Sequence, residues 1–96
     1  MAEPIITSPR AQLQIYDILE YLNGRNPAAG RRLTERFEAA YRQLSEFPLS
    51  GVRARAGTRR LIVRPYVLTY RATAAGVEIL DIRHGRQRPV ELAEDG

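Results

Sequence analysis

The chain has 96 residues, of which 44% are hydrophobic, so the sequence predicts one small globular domain over residues 1–96. It contains no cysteine and one histidine, His84, which excludes disulfide bonds, thiolate metal sites and multi-histidine metal sites. Its apolar runs are shorter than the ~18 residues of a transmembrane helix, and its first residues lack the pattern of a signal peptide. We therefore expect a cytoplasmic protein that needs no cofactor and does not enter a membrane.

Charge is distributed unevenly along the chain. Residues 1–50 carry six Arg and six acidic residues, whereas residues 51–90 carry nine Arg and two acidic residues, and no lysine is present. The last six residues carry three acidic side chains. A basic block of this kind indicates either a polyanionic or acidic partner or a solvated arginine-rich face.

The first segment predicts a short strand and a helix. Pro4–Thr7 is strand-like, and Ser8 followed by Pro9 is a helix start signal, because serine caps free N–H groups and proline has no N–H to satisfy in the first turn. The helix is expected to end at about Asn23, with Gly24 available for the left-handed conformation. One apolar stripe follows it at helical spacing: Ala11, Ile15, Ile18, Leu19 and Leu22.

Asn26 followed by Pro27 repeats the start signal and predicts a second helix to about Phe47, where Pro48 stops it. Its apolar face contains Ala29, Leu33, Phe37, Ala40, Tyr41 and Leu44. On the other face, opposite charges four residues apart predict surface pairs: Arg31 with Glu35, Glu38 with Arg42, and Arg42 with Glu46. A short Gly-Arg-Asn link would join the helices as an antiparallel hairpin.

The second half predicts a loop followed by three strands. Leu49–Thr58 is polar and contains glycine, which is typical of a loop. The expected strands are Arg59–Arg64, Val67–Ala72 and Val77–Arg83, with Pro65 at a turn or bulge and Ala74–Gly76 at a hairpin turn. Alternation would place Leu68, Tyr70, Leu80 and Ile82 on one face and Arg71, Ile79, Asp81 and Arg83 on the other. The order β-α-α-β-β-β predicts an α+β fold, a helix hairpin on one face of a small, mainly antiparallel sheet, with a loose tail at about residues 89–96.

The residue types offer little for catalysis. Glycine-rich phosphate loops and nucleophile elbows are absent, and one histidine without cysteine does not assemble a conventional triad. Metal-independent ribonuclease chemistry remains open, since it needs a base for the ribose 2′-hydroxyl, a cation at the phosphate and an acid for the leaving oxygen. His84 with Arg83, Arg86 or Arg88 would supply part of that set, although a histidine after a strand is also typical of a turn or packing position.

Several stretches follow one another in a distinctive order: Asn26-Pro27-Ala28-Ala29, Pro48 with Gly51, Arg60 to Val63, Pro65 to Arg71, and Ile79 to Arg86. Together, over about residues 5–88, they resemble the RelE/ParE toxin superfamily. The resemblance implies two helices on a small sheet, which agrees with the prediction above. It also implies a type II toxin–antitoxin pair, in which an antitoxin, ParD-like or similar, neutralises the toxin within a hetero-oligomer.

Two activities occur in this superfamily, and the middle strand bears on the choice between them. RelE-like members cut messenger RNA on the ribosome and typically carry an arginine immediately before the Leu-x-Tyr of that strand, where this chain has Val67. They also often use a tyrosine near the C-terminus, and none follows Tyr70 here. Valine cannot donate to a phosphate oxygen. The chain therefore looks more like ParE toxins, which poison DNA gyrase by trapping its DNA-cleavage complex, with no catalysis of their own.

The expected target-binding residues cluster at and just beyond the end of the last predicted strand, where arginine can engage carboxylates or phosphates at two points: Arg83, His84, Arg86 and Arg88. On the first helix, Leu13 and Tyr16 lie roughly opposite the apolar stripe and are the candidates for antitoxin binding. The alternative is a RelE-like ribosome-dependent mRNA endoribonuclease, in which His84, Arg83 and Arg86 would be catalytic. A second alternative is a non-toxic binding module on the same fold. No bound metal and no sequence-specific binding of nucleic acid is expected.

Overall fold

The computed structural model describes residues 2–86, which form two helices packed against a five-stranded sheet. In chain order the elements are β1 (Ile5–Thr7), α1 (Pro9–Arg25), α2 (Pro27–Glu46), β2 (Val52–Arg53), a 3-10 turn (Arg55–Gly57), β3 (Arg59–Val63), β4 (Tyr66–Thr73) and β5 (Gly76–His84). The strand order is β1-β5-β4-β3-β2, with β1 parallel to β5 and the other neighbours antiparallel. The predicted α+β fold is confirmed. The expected tail lies outside the described residues.

The helix start signals act as the sequence predicts. The Ser8 side chain accepts a hydrogen bond from the N–H of Ala11 at 3.1 Å, and the Asn26 side chain accepts one from the N–H of Ala29 at the same distance. The predicted end of α1 is wrong, because Gly24 stays helical and the helix continues to Arg25. Asn26 ends α1 with a bond from its N–H to the carbonyl of Leu22 and also caps α2, so one residue joins the helices.

The Leu49–Thr58 segment is more ordered than the predicted loop. Val52 and Arg53 pair with Arg60 and Arg59 and form β2, and the chain then reverses through the 3-10 turn. This strand was missed because it is two residues long and its pairing depends on the neighbouring strand rather than on local alternation.

A β-bulge corrects the predicted faces of β5. Tyr70 lies opposite Ile79 and Thr69 lies opposite Asp81, so Leu80 is an additional residue without a partner across the ladder. The extra residue shifts the alternation, and Ile79 is fully buried in the core with Tyr70 rather than on the face of Asp81. The placement of Leu80 with the core residues and of Ile79 on the opposite face was therefore wrong.

The core lies between the helices and the sheet. The buried apolar side chains are Ala11, Leu33, Phe37, Ala40, Leu44, Val63, Leu68, Tyr70, Val77, Ile79 and Ile82. The charges that α2 carries four residues apart do not form the predicted ion pairs, because such long exposed side chains gain little from being held in one geometry. No helix in the described part of the chain has the length and apolarity that a membrane crossing requires.

Candidate target-binding face of the sheet

We call the face of the sheet opposite the apolar core the open face, although Thr69, Asp81 and Arg83 on it are themselves buried. The strand registers place these residues on it: Arg60, Ile62, Val67, Thr69, Arg71, Glu78, Asp81 and Arg83. Neighbours across the strands form rows, so Thr69 lies between Arg60 and Asp81, and Val67 lies between Ile62 and Arg83. The open face therefore mixes arginine and carboxylate side chains with apolar and neutral ones.

A buried carboxylate lies at the centre of this face. Asp81 is fully buried, and its Oδ1 accepts hydrogen bonds from Arg10 Nε at 3.2 Å and Gln14 Nε2 at 3.0 Å. Its Oδ2 lies 3.0 Å from Nη2 of Arg83, an ion-pair contact without hydrogen-bond alignment. Gln14 also accepts the N–H of Ile82 at 2.8 Å. These contacts compensate the carboxylate and fasten the first turns of α1 to β5.

The predicted target-binding residues differ in exposure. Arg83 is only 9% exposed and is held by Asp81, whereas Arg86 is exposed after the end of β5. His84 is partly buried, and its ring meets the ring of Tyr66 edge-on with centroids 5.6 Å apart. Its Nδ1 accepts a hydrogen bond from the N–H of Arg86 at 3.1 Å. Arg88 lies outside the described residues.

Valine stands directly opposite Arg83. Val67 and Arg83 are paired across β4 and β5. Val67 stands where RelE-like toxins typically carry an arginine. Arg83 is thus flanked by an apolar side chain on one strand and by the Asp81 carboxylate on its own strand. Nearby, burial raises the pKa of Tyr66 above its usual value of 10.0, so its phenol stays protonated at neutral pH.

Both candidate residues for antitoxin binding are exposed. Leu13 and Tyr16 are 62% and 60% exposed on α1. The structure adds large exposed apolar side chains that the sequence analysis did not select: Ile6, Tyr21, Phe47, Leu49, Val52 and Ile62. They escaped selection because they lie outside regular apolar stripes, so only the packing shows that nothing in residues 2–86 covers them.

Two grooves accompany these side chains. One, of about 460 Å³, follows the seam between α1 and α2 and is lined by apolar side chains that include Ile15, Leu19 and Phe37. The other, of about 510 Å³, lies between α2 and β3. Because β2 pairs only with the first two residues of β3, the outer edge of Leu61–Val63 is uncovered in the described part of the chain. An uncovered strand edge beside an apolar groove is a surface to which an extended segment can add.

A family model described as "ParE toxin of type II toxin-antitoxin system, parDE" matches residues 5–89. The chain belongs to this toxin family. It is 33% identical over 81 residues to "Toxin RelE2" of Caulobacter vibrioides, covering 83% of this chain and 92% of that protein. It is 34% identical over 82 residues to "Putative toxin Y4kP" of Sinorhizobium fredii, covering 82% and 84% respectively. Family membership implies an antitoxin partner.

Among residues 2–86 of this ParE-family toxin, no group of three or more His, Cys, Asp or Glu side chains could hold a metal ion. Asp81 is the buried acid of the open face, and its oxygens are engaged by Arg10, Gln14 and Arg83. Besides arginine, the open face presents the half-buried carboxylate of Glu78, whereas His84 pairs with Tyr66 and lies on the face that packs against α2.

Proposed function

We propose that this toxin arrests growth by binding DNA gyrase and trapping its DNA-cleavage complex, with no catalysis of its own. The observation that carries the proposal is the pairing of Val67 with Arg83, whose charge is met by Asp81. Cutting RNA requires uncompensated donors around a phosphate that gains charge in the transition state. A valine and a neutralised arginine supply little of that stabilisation.

The histidine geometry also disfavours a nuclease. A ribonuclease base must accept the proton of a ribose 2′-hydroxyl. Nδ1 of His84 is already the acceptor for the N–H of Arg86. In a neutral imidazole whose Nδ1 accepts, Nε2 carries the proton and is a donor. This arrangement suits a histidine that shapes the turn after β5 and helps to present Arg86.

In this proposal the gyrase-binding surface is the end of β5 and the residues after it, which are Arg83, His84, Arg86 and Arg88. Among the described residues, Arg86 is the exposed arginine of this surface. Its planar guanidinium can engage a carboxylate or a phosphate at two points. Arg83 supports the surface from below through Asp81 rather than by direct contact. In this proposal the toxin acts in the cytoplasm, where it forms its complex with gyrase.

We further propose that a ParD-like antitoxin covers the exposed apolar residues of α1 and the edge of β3. Leu13 and Tyr16 would anchor a segment that folds as it binds, and acidic antitoxin residues would pair with arginines of the basic half. Alanine at both positions should weaken antitoxin binding at least tenfold (about 1.4 kcal/mol), since exposed aromatic and aliphatic side chains are typical interface anchors. Glu20→Ala, exposed on the same helix, is the matched control. Equal antitoxin affinity of the double variant and the control would contradict this assignment.

The test of the target is expression of the toxin alone with separate readouts of DNA damage and translation. Gyrase poisoning predicts filamentation, a DNA-damage response and inhibition of supercoiling by the purified toxin. Because one relative is named "Toxin RelE2", messenger RNA cleavage on ribosomes must be measured in parallel. Cleavage within codons with normal supercoiling would establish the ribonuclease alternative.

The binding surface is tested with Arg86→Ala against Arg31→Ala, which removes the same charge from the exposed face of α2. We expect the first variant to lose toxicity while it keeps its melting temperature and antitoxin binding, and the second to stay toxic. Full toxicity of Arg86→Ala would move the functional surface elsewhere. A folded chain that binds antitoxin but affects neither gyrase nor ribosomes would support the non-toxic binding module.

A further inference from the structure

The longest stretch of the sequence that contains arginine but no acidic residue lies away from the end of β5. Residues 47–77 contain six Arg and no Asp or Glu, and they include β2, β3 and the turn between them. In α2, by contrast, arginine alternates with acidic residues, and Arg10 and Arg83 are met by the Asp81 carboxylate.

Two arginines of this region face each other. Arg53 and Arg59 are directly opposite in the β2–β3 ladder, an arrangement of like charges that destabilises an antiparallel pair. Nη1 of Arg59 donates to the carbonyls of Leu49 at 3.1 Å and Gly51 at 3.0 Å. These bonds fix the guanidinium in place but leave its charge uncompensated, because a carbonyl is neutral. The side chain of Arg53 makes no hydrogen bond or ion pair with any residue in the described part of the chain.

The two guanidinium groups border a pocket of about 500 Å³, which is also lined by Leu49, Ala54, Gly57, Thr58 and Ala72. Within residues 2–86, no acidic side chain lines it. The Arg59 side chain on one side of the pocket is held by its two backbone acceptors. The Arg53 side chain on the other side can adjust to a ligand. An anion between the two forks would relieve their repulsion and accept hydrogen bonds from both.

We propose that the Arg53–Arg59 pocket binds the phosphodiester backbone of a nucleic acid, without sequence preference. Arginine forks match phosphate oxygens in geometry, and backbone phosphates form a regular polyanion of one sign. A protein interface usually matches charges of both signs. The 31-residue stretch 47–77, which forms both walls of the pocket and contains arginine but no acidic residue, fits the regular polyanion better. This binding requires neither gyrase nor the β5 residues, so it stands apart from the function proposed above.

The test measures binding of the full chain to a labelled random-sequence DNA duplex of about 20 base pairs across a salt series. Each phosphate contact contributes about 0.9 to the slope of log affinity against log salt. Arg53→Ala should lower that slope by about 0.9 and weaken binding about tenfold at about 50 mM salt. Arg53→Lys should recover most of the loss, because lysine keeps a charge at the phosphate. Arg31→Ala, with the same change in net charge on α2, should behave like the unchanged protein.

The same binding measurement is repeated with duplex RNA and with poly-glutamate of matched charge. Binding to either duplex that depends on Arg53 supports the proposal, and a preference between them identifies the source of the backbone. Three results would overturn it: no binding to either duplex at low salt, equal losses in Arg53→Ala and Arg31→Ala, or poly-glutamate binding as tightly as DNA with the same dependence on Arg53. The melting temperature of each variant, with and without duplex, shows whether a loss of binding reflects a loss of fold.

Discussion

Replacing Asp81 by asparagine tests whether the buried carboxylate holds α1 against the sheet. Asp81 is fully buried and Arg83 is 9% exposed, so the substitution removes a negative charge that lies 3.0 Å from a nearly buried guanidinium. Removing one partner of a buried ion pair costs about 3–5 kcal/mol. Asparagine keeps a carbonyl oxygen for Gln14, so we expect the lower end, about 3 kcal/mol. In a domain of this size that corresponds to a fall in melting temperature of about 12–24 °C.

The matched variants separate burial from charge. The Arg10 side chain is 56% exposed, so Arg10→Ala should cost only about 0–1 kcal/mol despite its contact with the same carboxylate. Asp17→Asn removes an exposed acid from α1 and should change the free energy of unfolding by less than about 0.5 kcal/mol. In urea or thermal unfolding followed by circular dichroism, Asp81→Asn combined with Arg83→Met should recover part of the loss, because the buried positive charge that Asp81 offset is then removed as well. A cost of Asp81→Asn no larger than that of Arg10→Ala would refute this reasoning.

Three further predictions concern Tyr70, the glycine that contacts it, and Tyr41. Tyr70→Phe should lower the free energy of unfolding by about 2–4 kcal/mol in urea, because the Tyr70 hydroxyl donates to the carbonyl of Pro48 at 2.8 Å and accepts the buried N–H of Gly51 at 2.9 Å, and both would lose their partner. Gly51→Ala should lower the melting temperature, because a Cβ there would lie 2.7 Å from the Tyr70 hydroxyl; an unchanged melting temperature would mean that this contact relaxes freely. Burial raises the pKa of Tyr41 above 10.0 although a hydrogen bond with Thr7 lowers it, so the unfolded chain ionises first and stability is lost as the pH rises above about 10. Tyr41→Phe should show a smaller loss of stability between pH 8 and about pH 11 than the unchanged protein, and equal losses would contradict the assignment.

The elements that could be predicted from the sequence are those decided by neighbouring residues. Ser8 with Pro9 and Asn26 with Pro27 mark helix starts, because a cap and the residues it serves lie within one turn. The length of α1 could not be read in the same way. Gly24 is permitted in a left-handed turn but not compelled to adopt one, and Asn26 is able to end one helix and begin the next.

The features that escaped prediction depend on residues far apart in the chain. The bulge at Leu80 exists because β5 pairs with β4 in two registers, and alternation within β5 alone gives no sign of it. Likewise Arg10 and Asp81 are 71 positions apart, so nothing local distinguishes Asp81 from a solvated acid. Of the candidate site, the composition of the β5 end could be read from the sequence, but the burial of Arg83 could not.

The placement of counter-charge decides where an anionic partner can be held. On the open face, an anion approaching Arg83 meets the Asp81 carboxylate 3.0 Å from the same guanidinium, and the attraction of one charge is offset by the other. At the β2–β3 hairpin, Arg59 is fixed by carbonyls alone, so its positive charge is available to a ligand. Arginine-rich sequence by itself does not distinguish these two cases. The distinction follows from which acceptors the fold places beside each guanidinium, and it favours polyanion binding at the hairpin over phosphate chemistry at Arg83.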